Sequence, residues 1–342
     1  MGRQRGWRVR KRFWVGAALI AAALFLVGYV SWLFQPVNSH SRVVRYFRVS
    51  SGQSADQVAA SLKEAGIIRS ALAFEVLSRW DHLATHLTAG VYRLSPRDSL
   101  RRILDTMRRG DVVTIKVAIP EGFTVQEVVS RLVHAHIGTA VQYQALERSP
   151  LPGMPVPAAG VRDALEGYLF PATYQFPYGT TPRQALMTMW ETFQSRVVQG
   201  VYDHAHTTLT LSQWVTLASI VQAEDEKGSQ ASEVAAVFMN RLSAHMPFQS
   251  DATVRYAMGH PVAGGLSIGD LSYRSPYNTY LHAGIPPGPI DNPGLAMLKA
   301  ALHPAHVPYL YFLSLRSGTM LFATTYQQHL ANIAYANSHP NS

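Results

Sequence analysis

The chain has no cysteine. That absence removes disulfide bracing, thiolate metal sites, iron–sulfur ligation and cysteine nucleophiles together. Charge is scarce as well: 15% of the residues are Asp, Glu, Lys or Arg, against about 25% in an ordinary soluble domain. Acids are the scarcer sign, 21 against 30 basic residues, for a formal charge of +9. Such a charge suggests nucleic acid, but its distribution argues against that partner. Arg3, Arg5, Arg8, Arg10, Lys11 and Arg12 fall in the first twelve positions with no acid among them, leaving the rest of the chain at only +3. No nucleic-acid partner is expected. With 342 residues, 47% of them hydrophobic, the chain can build a sizeable core and fits about two domains.

The basic run ends abruptly. From Phe13 to Phe34 there are 22 residues without a charge, and at about 1.5 Å per residue a helix of that length covers the roughly 30 Å core of a bilayer. A cleaved signal peptide also begins with basic residues, but its apolar part is about 7–15 residues long and ends at a small-residue site. Here the stretch is longer and ends Tyr29-Val-Ser-Trp32-Leu-Phe-Gln-Pro36, with aromatic residues where an interfacial belt would lie. The expectation is an uncleaved single-pass anchor at 13–34 behind a cytoplasmic tail at 1–12. Positive charge stays inside, so the remaining 300 or so residues would be exported, in a bacterium into the envelope space facing the wall.

Three stretches share extended residues, then Ser or Thr, then apolar residues four and eight positions later: Phe47 to Ser54 with Val58 and Leu62, Val91 to Ser99 with Ile103 and Met107, and Ile115 to Thr124 with Val128 and Leu132. The hydroxyl residue is a good helix N-cap, and the i, i+4, i+8 spacing gives one buried stripe. Each unit reads as strand, tight turn, helix, with Gly52 and Gly122 suiting the turn and Arg97 at the corresponding place in the second unit. A small repeated β–α unit in an exported protein resembles the LysM-like modules that bind glycan strands, which assigns 40–136 to such a region. The repeat has no residue set diagnostic of sugar binding, so a generic α+β connector stays open beside it. Residues 137–163, with Pro150, Pro152, Pro155 and Pro157, read as a linker.

Metal chemistry finds little support. His82 and His86 have the spacing of a helical metal pair, but Leu83 stands where a His-Glu-x-x-His motif needs its Glu, and no third ligand is evident. His204 and His206 read as solvated loop residues. No metal or cofactor is expected.

The informative residues lie in 164–342. Thr210 or Ser212 opens a helix whose apolar face carries Trp214, Leu217, Ala218 and Val221. Glu224 falls seven residues after Leu217 and three after Val221, so its carboxyl leaves on the core side, while Asp225 and Glu226 point elsewhere. A partly desolvated acid has a raised pKa and stays protonated near neutrality, which a general acid requires. From spacing alone, a surface acid near a helix end remains open. A second helix follows at Ser232–Ser243, with Val234, Val237, Phe238 and Leu242 as its stripe. After it come segments dense in amide, hydroxyl and aromatic groups suited to sugars.

The order of motifs here is specific. Glu166-Gly-Tyr-Leu-Phe-Pro171, Ala218-Ser-Ile-Val-x-x-Glu224, Val237-Phe-Met-Asn-Arg-Leu242, Gln249-Ser-Asp251-x-Thr-Val-x-Tyr256, Tyr277-Asn-Thr-Tyr280, Gly284-Ile-Pro-Pro-Gly288 and Leu298-Lys-Ala-Ala-x-His-Pro304 with Pro308-Tyr-Leu-Tyr-Phe312 resemble the endolytic murein transglycosylase family, the YceG-like proteins. The resemblance covers nearly all of the chain after the anchor. It implies an α+β chain: one transmembrane helix, LysM-like β/α modules and a mixed α+β catalytic domain at 164–342. The implied reaction is cleavage of the β-1,4 bond between N-acetylmuramic acid and N-acetylglucosamine in peptidoglycan strands, leaving 1,6-anhydro ends and terminating strand growth. Glu224 then matches the catalytic acid/base. Gln249 and Asp251 are the leading candidates for substrate contacts, with Tyr277, Asn278 and Tyr280 behind them. Penicillin-binding proteins of the wall-synthesis machinery are the implied partners, at the inner membrane.

Two positions depart from the family pattern: Gln222 stands where relatives carry an acid, and Ala172 where they carry Asp. A neutral neighbour removes like-charge repulsion and would lower the pKa of Glu224 relative to those relatives. Glu121 and Glu166 read as structural, holding turns before Gly122 and Gly167, and His303 as ordering a turn. The departures motivate one rival, a catalytically silent wall-binding or scaffold protein, which peptidoglycan digestion would separate from the enzyme. An exported peptidase lacks both a metal motif and a Ser/His/Asp set.

Overall fold

The computed structural model describes residues 3–80, 87–225, 228–260 and 265–339. His82, His86 and Glu226 lie outside them. The chain is mixed α+β and divides into two compact units, 1–115 with 177–179, and 116–176 with 180–342.

In the first unit, α1 (Arg3–Leu33) precedes β1 (Arg45–Val49), α2 (Ala55–Glu64), α3 (Ala71–Trp80), β2 (Gly90–Leu94) and α4 (Leu100–Arg108). Among the described residues no helix is long and apolar enough to cross a membrane. α1 contains most of the uncharged run in which an anchor was expected. Leu19, Leu24, Phe25 and Val27 along it are exposed.

The first two of the three similar stretches do not stand as separate β–α units. β1 and β2 pair antiparallel, Arg45 opposite Leu94 and Val49 opposite Gly90, so both strands share one sheet. Phe47, Val58, Leu62, Phe74, Tyr92, Ile103 and Met107 close a common core over it. The local cues act as expected: Ser54 caps α2 by accepting from the Gln57 amide, Ser99 caps α4 through Arg102, and Gly52 takes φ 77° in the turn before its cap.

The chain enters the second unit within β3 (Thr114–Ala118), followed by α5 (Val125–His134). Thr124 caps α5 in a reciprocal box with Glu127, and Gly122 takes φ 78°. Residues 137–163 include a further helix, α6 (Ala140–Glu147), opened by Thr139 and Gln142. The Ala-Val-Gln-Tyr-Gln-Ala-Leu-Glu run that forms it precedes the prolines that suggested a linker. β4 (Thr173–Pro177) pairs with β3. Then come α7 (Pro182–Phe193), α8 (Leu211–Glu224), α9 (Ala231–Ser243), α10 (Asp251–Met258), α11 (Leu295–Leu302), the antiparallel hairpin β5 (Tyr311–Ser314) and β6 (Met320–Ala323), and α12 (Tyr326–Ser338).

α8 organises this unit. Thr210 caps it by accepting from the Gln213 amide. Every residue from Trp214 to Gln222 is buried, so the helix is enclosed on all sides and not only along the expected stripe. Trp214 stacks on Tyr202 and donates its indole N–H to the Leu298 carbonyl of α11 at 2.8 Å. Burying large aromatic side chains contributes about 1.5–3 kcal/mol each. The first turn of α8 is therefore pinned through Trp214, and the enclosed helix carries Glu224 at its end.

Candidate active site

Glu224 ends α8 and is half-buried. Its Oε1 accepts a hydrogen bond from Ser250 Oγ at 2.5 Å. Burial pushes its pKa up and the Asp251 charge adds to this, while the Ser250 hydrogen bond and the charges of Arg255 and Arg241 pull it back. Desolvation is the largest of these effects, so the net shift is upward, toward the acid form.

Ser250 is held from three sides. Its amide donates to Thr279 Oγ1 at 3.0 Å, its carbonyl accepts from Thr253 Oγ1 at 2.8 Å, and the two threonine hydroxyls meet at 2.9 Å. Gln249 before it has φ 50° and bonds its amide to the Thr279 carbonyl. This left-handed residue aims the turn at Glu224. Arg241 of α9 fixes the approach: buried, it donates to the carbonyls of Pro247, Phe248 and Leu310. A guanidinium spends its fork of donors well on three backbone oxygens that would otherwise lose water.

Asp251, the first residue of α10, accepts from the Tyr280 hydroxyl at 2.7 Å. Burial and the Asp251 carboxylate hold the Tyr280 phenol protonated. Glu224, Asp251 and Tyr280 are thus gathered around Ser250, and Gln249 is exposed beside them. Tyr277 and Asn278 lie deeper. Tyr277 packs on Tyr256 with centroids 5.0 Å apart, and its hydroxyl accepts from the Arg162 amide. Asn278 is fully buried, donating to the Leu271 and Tyr273 carbonyls and accepting from the Tyr280 amide, so its polar groups hold the loop that presents Thr279 and Tyr280.

Ser250 and Arg241 were not among the residues singled out from sequence. Ser250 lies between Gln249 and Asp251, and nothing in its own residue type separates a donor to Glu224 from an ordinary loop serine. Arg241 left a clearer sign, since it falls seven residues after Val234 and four after Val237, a charge on an apolar stripe.

Glu166 has the structural character expected, through different partners. It is 3% exposed, and its Oε1 accepts from the Val125 amide at the start of α5 and from Asn292 Nδ2. Glu121 packs its carboxyl where a side chain on Gly294 would sit, 2.1 to 2.3 Å from an added Cβ, which explains glycine at the start of α11. Gln222 is buried and its Oε1 accepts from the Gly294 amide at 3.0 Å. Ala172 contributes its carbonyl, accepting from Ile119. His303 ends α11 with its amide bonded to the Lys299 carbonyl. His204 and His206 are exposed. Among the described residues no three His, Asp or Glu side chains are arranged to hold a metal.

Beside Gln222 and Ala223 a cleft of about 1440 Å³ opens within the second unit. It runs past Thr124, Glu166, Ala252 and Tyr256, bringing four of the sequence motifs to one surface.

The lining of the cleft includes Gln222 and Ala223 but not Glu224, which ends α8 one residue further on with its carboxyl on Ser250. A mixed α+β chain presenting one partly buried, hydroxyl-supported carboxyl has the groups for single-acid chemistry. The chain belongs to the YceG-like family, whose model matches residues 47–335. It is similar to the endolytic murein transglycosylase of Bacillus subtilis (strain 168), 30% identical over 91% of this chain and 89% of that protein. It is also similar to the endolytic murein transglycosylase of Streptococcus pneumoniae serotype 2, 28% identical over 95% of this chain. The chain spans 64% of the length of that pneumococcal relative. Among solved structures, a yceG-like protein from Listeria monocytogenes superposes with a TM-score of 0.59 at 29% identity, covering 85% of this chain and all of that one.

Proposed function

We propose that this chain cleaves the β-1,4 bond between N-acetylmuramic acid and N-acetylglucosamine in peptidoglycan strands, with Glu224 as its acid and base. The observation that carries the reading is the Glu224 carboxyl at the end of the buried helix α8, held by the Ser250 hydroxyl, with burial raising its pKa. The names of the bacillar and pneumococcal relatives support the reaction class.

The chemistry needs only one carboxyl. Most glycosidases use two, one serving as nucleophile or water activator. Here the muramic acid's own primary hydroxyl is the nucleophile. Glu224 gives its proton to the glycosidic oxygen as the C1–O bond breaks, and the N-acetylglucosamine leaves as an alcohol. The resulting carboxylate takes the proton from the C6 hydroxyl as O6 bonds to C1, which restores the acid and consumes no water. Ser250 donates to the carboxylate between the two steps. Positioning of the C6 hydroxyl replaces the second carboxylate.

The chain is read as working at the outer face of the inner membrane, held by α1. The basic run from Arg3 to Arg12 and the exposed apolar side chains from Leu19 to Trp32 support an anchor with its N-terminus inside. A glycan-binding, LysM-like role for the β1–β2 module and an association with penicillin-binding proteins, through which cleavage would end strand growth, complete the reading. The test is digestion of uncross-linked glycan strands by the full chain, followed by mass spectrometry. Chains ending in 1,6-anhydro-muramic acid are expected, and reducing ends alone, or no cleavage, would overturn the proposal.

A further inference from the structure

The cleft beside Gln222 is lined by Glu121, Glu127, Glu147, Asp163, Glu166 and Asp291, delivered by separate segments of the second unit. Among the described residues the ion pairs are Arg79–Asp56, Arg102–Asp98, Arg108–Asp105 and Arg109–Asp111, so none of the six cleft acids is paired. Three accept from backbone amides: Glu127 from Thr124, Asp163 from Leu165 and Glu166 from Val125. Asp291 differs, since it is 5% exposed and its Oδ1 has no hydrogen-bond partner. A buried carboxyl without a donor is costly.

A second observation is not acidic. Gln222 is 4% exposed and lines the same cleft, and its Oε1 accepts from the Gly294 amide, which fixes the orientation of its side-chain amide there. Among the described residues no arginine of the cleft forms an ion pair with its acids, and the Arg162 charge offsets Asp163 only in part. Arg162 is spent on the Tyr256 carbonyl and ring, and Arg148 and Arg255 are exposed. The crowding is felt electrostatically: Asp163 is pushed up to about 6, by burial first and by Glu147 as well.

We infer that this cleft binds the primary ammonium group of the peptide stems carried by a glycan strand, with Gln222 donating to a stem carbonyl. The inference rests on reading the chain as a peptidoglycan-cleaving enzyme. The acids are too dispersed for a metal ion, because no three of them are arranged to share one. An ammonium needs fewer protein oxygens than a metal ion, since one or two carboxylates and water can take its three N–H groups. The volume exceeds the roughly 300–1,000 Å³ of ordinary small-molecule sites and leaves room for a peptide beside the sugar.

The experiment compares three substrates with the full chain in detergent: strands whose stems carry free amines, the same strands after amine acetylation, and strands stripped of stems. Calorimetry with Glu224→Gln measures binding of a disaccharide–peptide fragment with its amine free or acetylated. Acetylation is expected to lower kcat/KM about tenfold, mostly through KM, and to weaken fragment binding comparably. Glu147→Gln and Asp291→Asn should each draw the ratio of native to acetylated substrate toward one. Glu147 is the safer variant, being only partly buried. Equal kcat/KM and equal fragment binding with and without acetylation would overturn the inference. If all substrates yield anhydro ends without discrimination, the cleavage reading survives and the stem site does not. If none yields them while the free-amine fragment still binds better, the stem site survives and the cleavage reading does not.

Discussion

Ser250 Oγ donates a 2.5 Å hydrogen bond to Glu224 Oε1, and Ser250 is itself fixed by Thr279 and Thr253. The donor is oriented before any substrate arrives. Preorganised hydrogen bonds of this kind cost no reorganisation during reaction. Ser250→Ala should lower kcat about tenfold. Because the bond favours the ionised form, its loss raises the Glu224 pKa further, so the alkaline limb of the kcat profile should move to higher pH. A pH–rate series on glycan strands checks both effects, and an unmoved limb would separate Ser250 from Glu224.

Asp251 acts in the opposite sense. Its charge raises the Glu224 pKa, so Asp251→Asn lowers it, and the acid form of Glu224 is lost at a lower pH. The alkaline limb should shift downward, opposite to that of Ser250→Ala. Loss of the Tyr280 contact is expected to raise KM as well.

Asp163 predicts a pH effect on stability. Its folded pKa of about 6 lies above its ordinary value near 4, so protons bind the folded state more tightly. Its contribution is fully present below about pH 4 and is lost as the pH rises through about 6. Asp163→Asn keeps an acceptor for the Leu165 amide and removes the titration. Denaturant melts between pH 4 and 7 should show wild type losing more stability than the variant as pH rises.

Gly167 supports the turn between Glu166 and Tyr168. Its φ is +86°, and an added Cβ would lie 2.5 Å from Pro289 and 2.8 Å from Val215. Gly167→Ala should destabilise the second unit by about 2–4 kcal/mol, through both backbone strain and overpacking, read as a lower denaturation midpoint.

Much of this was legible in local residue patterns. Ser54, Ser99, Thr124 and Thr210 cap the helices their spacing suggested, and Val58, Leu62, Ile103, Met107, Val128 and Leu132 are buried at the i+4 and i+8 positions. What pairs with what was not legible, because strand pairing is a long-range choice. β1 and β2 belong to one sheet although each looked like the start of its own unit. The same limit applies at the site. Helical phase left Glu224 open between a core-side and a surface acid, and motif resemblance singled it out together with Gln249, Asp251 and Tyr280. Ser250 depends on a turn shaped by Arg241 and by the positive φ of Gln249, neither of which follows from local propensity. The sugar-suited chemistry of Asn278 gave no hint that its amide would be spent on the Leu271 and Tyr273 carbonyls.

The decisive measurement is the rate at which Glu224→Gln releases 1,6-anhydro-muramic ends from glycan strands, with thermal unfolding recorded alongside. Glutamine keeps the shape and an acceptor for Ser250 but cannot donate and recover the proton. A fall of about 10³-fold with an unchanged melting temperature is predicted. Anhydro ends released at the wild-type rate would show that the proton comes from another residue.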